Sequence, residues 1–106
     1  MEIRVLRYFL AVAREENITA AAQFLHLTQP TLSRQIRDLE NELGHQLFSH
    51  RVVLTPEGMR LRKRAEEIVS MVDKTEAEFH SMDEVTGGDI YIGGGETDAM
   101  KLIAKI

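Results

Sequence analysis

Apolar residues recur three and four apart along most of the first 84 positions, which predicts a mainly α protein. Ile3, Leu6, Phe9, Leu10 and Ala13 keep that spacing with no Gly or Pro between them, so residues 2–15 read as a helix. Val5 and Val12 widen its apolar face, which suits two packing partners. A short second helix is expected over 19–26, capped by Thr19 and carried by Ala20, Ala21 and Ala22, the strongest helix formers. Those small side chains let another helix approach closely, and Phe24 and Leu25 are expected to supply core.

A third helix is predicted over 29–43. Thr28 is its N-cap, and Pro30 sits in the first turn, where a missing N–H costs nothing. Leu27 before the cap and Leu32 four positions into the helix form a hydrophobic staple. Leu32, Ile36, Leu39 and Leu43 repeat as one buried stripe, and Gly44 supplies the left-handed terminus. Residues 46–48 and 51–54 read as two short strands joined tightly at Ser49 and His50.

Thr55, Pro56 and Glu57 then open a long helix with a cap, a first-turn proline and a carboxylate at the positive end of the dipole. Gly58 reads as tolerated in the first turn. The pattern continues to Glu84, giving about 28 residues and ~42 Å at the helical rise. Leu61, Ala65, Ile68, Val72, Thr75, Phe79 and Met82 alternate four and three apart, a coiled-coil-like seam that Thr75 interrupts. One helix cannot bury its own seam, so a partner helix is implied. After Gly87 and Gly88 the pattern changes to a short strand at 89–92, a turn at 93–95 and an amphipathic helix at 97–106. One strand and one helix cannot make a core, so this stretch reads as the first step of a further α/β domain. The expected division is therefore a first domain over 1–55, a linker helix over 56–86 and the start of a truncated domain over 87–106.

Composition narrows the chemistry. A chain of 106 residues is one domain and an appendage. With no cysteine there is no disulfide, thiolate zinc site or Cys nucleophile. No apolar run is long enough to span a bilayer and no signal segment opens the chain, so a cytoplasmic protein without membrane partners is expected. The net charge of −4 argues against a nucleic-acid partner until its distribution is examined. Residues 1–64 hold ten Lys and Arg against seven Asp and Glu, whereas residues 65–106 hold three against ten. The basic side chains thus lie where a nucleic-acid footprint would need them.

Helix, short turn and helix from Thr19 to Leu43 have helix-turn-helix spacing. Opposite the buried stripe, the start of the second of these helices carries Thr28, Gln29, Pro30, Thr31, Ser33, Arg34 and Arg37. Gln can pair with adenine, Arg with guanine, and Ser or Thr with phosphate or the thymine methyl. The helix N-terminus itself favours phosphate. The two short strands make a wing, from which Arg51 could reach a phosphate or the minor groove. His26 stands where the helix-turn-helix turn usually has glycine, and His is among the side chains that tolerate positive φ best. The competing reading is a winged-helix, coiled-coil interaction module without DNA.

The runs Leu6 to Ala13, Thr19 to Ala22, Leu27 to Ile36, Leu39-Glu40, Leu43-Gly44, Leu47-Phe48 and Leu54 to Gly58 closely resemble the N-terminal domain of LysR-type transcriptional regulators. The resemblance covers residues 1–85 and implies a winged helix-turn-helix on a linker helix that pairs antiparallel in a homodimer. It implies that Gln29, Pro30, Thr31, Ser33 and Arg34 face the major groove of double-stranded DNA, with Thr28 and Arg51 near phosphates. The wing, from Ser49 to Val52, is shorter than the family's usual basic, glycine-containing tip. Residues 89–93 resemble the first strand of the family's effector-binding domain, which places effector contacts near Gly95 and Thr97. A small-molecule effector would then act only on the full-length protein.

Other signals carry little. The glycines at 93–95 lack the Gly-Lys-Ser/Thr of a phosphate loop, and Asp98 occupies the third dinucleotide-motif glycine position. His26, His45, His50 and His80 are scattered, so no metal site is expected, and neither a cofactor nor a catalytic grouping emerges. Arg60, Arg62, Lys63 and Arg64 read as a solvated helix face, and Met59, Met71 and Met82 as core or seam filler.

Overall fold

A computed structural model describes residues 1–87, with side chains through 82. The expected strand at 89–92, the helix at 97–106 and the effector positions Gly95 and Thr97 lie outside the described residues. Four helices follow in order: α1 (Ile3–Glu15), α2 (Ile18–Leu25), α3 (Gln29–Leu43) and α4 (Pro56–Gly87). The chain is mainly α and divides into two units, Met1–Ser70 and Met71–Ile106.

Local capping chemistry sets the helix ends. Thr28 Oγ1 accepts from the Thr31 N–H at 3.4 Å, and Gly44 closes α3 at φ +75°, as the sequence predicts. The second helix corrects the expectation. Its cap is Asn17, not Thr19, because Asn17 Oδ1 accepts from the Ala20 N–H at 2.8 Å. The helix therefore starts one residue earlier and ends at Leu25, where His26 takes the left-handed position at φ 60°. That residue makes the helix-turn-helix turn without a glycine.

The core of the first unit joins α1, α2, α3, the wing segment and the first turns of α4. Leu6, Phe9 and Val12 from α1 meet Ala21 and Ala22 of α2 and Leu32, Ile36 and Leu39 of α3, all buried. Phe9 also meets Phe48 with ring centroids 5.3 Å apart, which ties α1 to the wing. Two expected core positions lie outside it. Phe24 is 59% exposed beneath the Arg14 guanidinium, 4.3 Å from its ring centroid, and Leu43 is 37% exposed at the end of its stripe.

The two expected strands are absent among the described residues; a single antiparallel bridge, Phe48 to Leu54, stands in their place. Ser49 accounts for this. Its N–H donates to the Val53 carbonyl at 2.8 Å, but its own carbonyl is taken by the Val52 N–H at 2.9 Å. The Val53 N–H falls to Ser49 Oγ instead, at 3.4 Å. The turn is thus a three-residue connection of His50, Arg51 and Val52 rather than a tight one at Ser49 and His50, with Val52 at φ 62°.

Leaving the wing, Thr55 caps α4 by accepting from the Gly58 N–H at 3.0 Å, while its hydroxyl donates to the Gln46 carbonyl at 2.6 Å. Gly58 is required there rather than merely tolerated. A Cβ at this position would collide with the Leu47 carbonyl oxygen and lie 2.8 Å from Leu54 Cδ2. Gly58→Ala is accordingly expected to destabilise the first unit by about 1–3 kcal/mol, the usual cost of overpacking, read as a lowered thermal midpoint.

The α4 seam also divides. Ala65 is fully buried in the core of the first unit, and Leu61 and Ile68 pack against the same core, so this stretch is occupied within one chain. Farther along, Phe79 and Met82 are 61% and 57% exposed, and Met71, near them in helical register, is 63% exposed.

Candidate nucleic-acid interface

The polar face of α3 is presented by the burial of the opposite one. Leu32, Ile36 and Leu39 fix the helix in the core, and the intervening positions turn outward. Thr28, Gln29, Pro30, Arg34 and Arg37 are exposed, and Thr31 and Ser33 are half-buried. Thr28 is partly committed locally, since its hydroxyl caps the helix and donates to Thr31 Oγ1 at 2.8 Å. Among the described residues no carboxylate pairs with Arg34, Arg37 or Arg51. All three guanidinium groups are exposed.

The wing stands next to this face. A groove of about 340 Å³ is lined by Ser33, Arg37 and Glu40 of α3 and by Ser49, His50 and Val52 of the wing. Arg51 is exposed at the turn of that wing, where its own N–H donates to Ser49 Oγ at 3.3 Å. Of the expected contact residues, Ser33 and Arg37 line this groove, whereas Thr28, Gln29, Pro30, Thr31, Arg34 and Arg51 lie outside its lining. Sequence reasoning missed His50 and Glu40 as members of it. His50 was legible only as a turn residue, and the place of Glu40 depends on contacts seven and eight residues away.

Chemically, this surface offers hydrogen-bond donors, acceptors and cations. No cluster of three His, Cys, Asp or Glu among the described residues is placed to hold a metal ion. No helix among them is long and apolar enough to cross a membrane.

Residues 3–59 match the family model described as bacterial regulatory helix-turn-helix protein, lysR family. The HTH-type transcriptional regulator BsdA of Bacillus subtilis (strain 168) is 39% identical over 110 residues, which covers 100% of this chain and 38% of BsdA. Among solved structures, the BenM_DBD/catB site 1 DNA complex matches with a TM-score of 0.76 and 42% identity, covering 79% of this chain and 94% of that one. The CbnR_DBD-DNA complex matches with a TM-score of 0.71 and 38% identity, covering 77% of this chain and 98% of that one. The chain spans 38% and 30% of the lengths of the first two curated relatives it matches.

Proposed function

This chain belongs to the lysR family of bacterial regulatory helix-turn-helix proteins, and on that premise we propose that it is the DNA-reading part of a dimeric, cytoplasmic transcriptional regulator with no catalytic role. Residues 1–55 hold double-stranded DNA, 56–86 link and pair two subunits, and 87–106 begin an effector-binding domain. Gln29, Pro30, Thr31, Ser33 and Arg34 lie in the major groove against base edges, and Thr28, Arg37 and Arg51 meet phosphates. Phosphate contacts set affinity and register, and base contacts set specificity. One observation carries this reading: Arg34 and Arg37 on the outer face of α3 are exposed and have no carboxylate partner among the described residues, while the opposite face is clamped by its buried stripe. That BenM and CbnR DNA-binding domains with this fold have been solved as DNA complexes supports it.

Pairing rests on the part of the seam that its own core does not consume, namely Val72, Phe79 and Met82, with Ile68 at its edge. The two long helices pair antiparallel, as the resemblance to the family implies. A small effector acts through the remainder of the full-length protein.

Arg34→Ala tests the site. Binding to a selected duplex is expected to fall by about 1–3 kcal/mol, with discrimination lost at one base position, as for an arginine reading guanine. An equal loss on every duplex would make Arg34 a phosphate contact. Unchanged binding on all of them would remove α3 from the interface.

A further inference from the structure

Glu40 collects four backbone amides where α3 hands the chain to the wing. Its carbonyl accepts from the Gly44 and His45 N–H groups at 2.8 and 3.2 Å. Its carboxylate accepts, through Oε2, from the Leu47 and Phe48 N–H groups at 2.7 and 3.3 Å. Leu47 and Phe48 are buried, 1% and 7% exposed, so their amides cannot simply turn to water. Charge-assisted bonds to backbone N–H are stronger than neutral ones.

The same side chain sits on the reading face of α3. Ser33, Arg37 and Glu40 follow at four and three residues, and all three line the groove shared with Ser49, His50 and Val52. A free carboxylate on a face that meets phosphate would repel it. Here the charge is turned onto two amides of the segment leading into the wing. The helix and the wing are thereby joined by an ion-to-backbone contact in addition to the covalent chain.

We propose that Glu40 is a positioning residue: its carboxylate locks the wing to α3, so that Arg51 reaches its phosphate while α3 lies in the major groove. The proposal rests on the phosphate contact assigned above to Arg51. Glu40 itself touches no DNA.

The test uses the whole chain and a labelled duplex bearing its selected sequence, with affinity measured from 50 to 200 mM salt. Each phosphate contact contributes about 0.9 to the slope of log affinity against log salt. Each subunit of the dimer carries one Arg51, so Arg51→Ala is expected to lower the slope by about 1.8, twice that amount. Glu40→Ala is expected to lower it equally, with helical circular dichroism retained, and the double variant to lose no more than Arg51→Ala alone. Glu40→Gln keeps an acceptor oxygen and is expected to retain the parent slope. Hydrogen exchange gives a readout without DNA: the amides of Ser49, Val52 and Val53 are expected to exchange faster in Glu40→Ala, while those of α1 do not. If the alanine variant fails to fold, Glu40→Asp, one methylene too short to hold both amides, takes its place. A parent slope in Glu40→Ala beside a reduced one in Arg51→Ala overturns the positioning role. A parent slope in Arg51→Ala overturns the phosphate contact instead, and the lock then stands or falls with the exchange of the wing amides.

Discussion

Phe79→Glu is expected to convert the protein to a monomer and to weaken binding to a two-fold symmetric duplex by about 10²–10⁴-fold, the avidity lost when a second module is released. Phe79 is 61% exposed within one subunit, so a glutamate there leaves the core of that subunit untouched. Circular dichroism should stay the same while sedimentation changes. A charge buried in a helix–helix seam without a partner is strongly unfavourable, which drives the dissociation. Val72→Glu should act alike. Ile68→Glu would be a poorer test, because Ile68 also packs against its own subunit's core and its loss mixes dissociation with unfolding. A dimer that persists in both Val72→Glu and Phe79→Glu would place the interface elsewhere.

Phe9→Ala is expected to cost about 3–5 kcal/mol of folding stability, the usual loss for a buried phenylalanine. Phe9 is fully buried at the crossing of α1 and the wing, where it meets Phe48 at 5.3 Å. A unit the size of Met1–Ser70 has a total stability of roughly 4–10 kcal/mol at the usual 0.05–0.15 kcal/mol per residue, so this one change removes a large share of it. The thermal midpoint should drop by about 12 °C or more, at ~4–8 °C per kcal/mol for a unit of this size. Phe9→Leu, which keeps most of the volume, should cost far less. Equal losses in the two variants would show that the aromatic contact, not the filled space, dominates.

Local chemistry made some elements legible and tertiary contact decided the others. The bounds of α3 follow from Thr28, Pro30 and Gly44, whose effects act within one turn. For α2, Asn17 and Thr19 are both competent caps, and only the extended backbone at Asn17 selects between them. The wing was obscured because its turn places Val52, a β-branched residue, at φ 62°, which local preference opposes. Periodicity found the α4 seam but could not apportion it. Ala65 and Val72 occupy equivalent heptad positions, yet Ala65 belongs to its own core. The structural roles of Gly58 and Glu40 are not set locally, since one is fixed by the Leu47 carbonyl and the other by the Leu47 and Phe48 amides. The outward positions of α3 were the most legible part of the surface, because a buried stripe at Leu32, Ile36 and Leu39 determines which positions of the same helix face outward.

Selection of bound duplexes from a random pool tests most directly whether α3 reads DNA as one of a pair. The expected outcome is a consensus with two inverted half-sites at fixed spacing, lost at one base position in Arg34→Ala and reduced to a single half-site in Phe79→Glu. A pool that returns no enriched sequence, or an asymmetric site indifferent to both substitutions, would contradict the account and leave the winged helix as a surface for another protein.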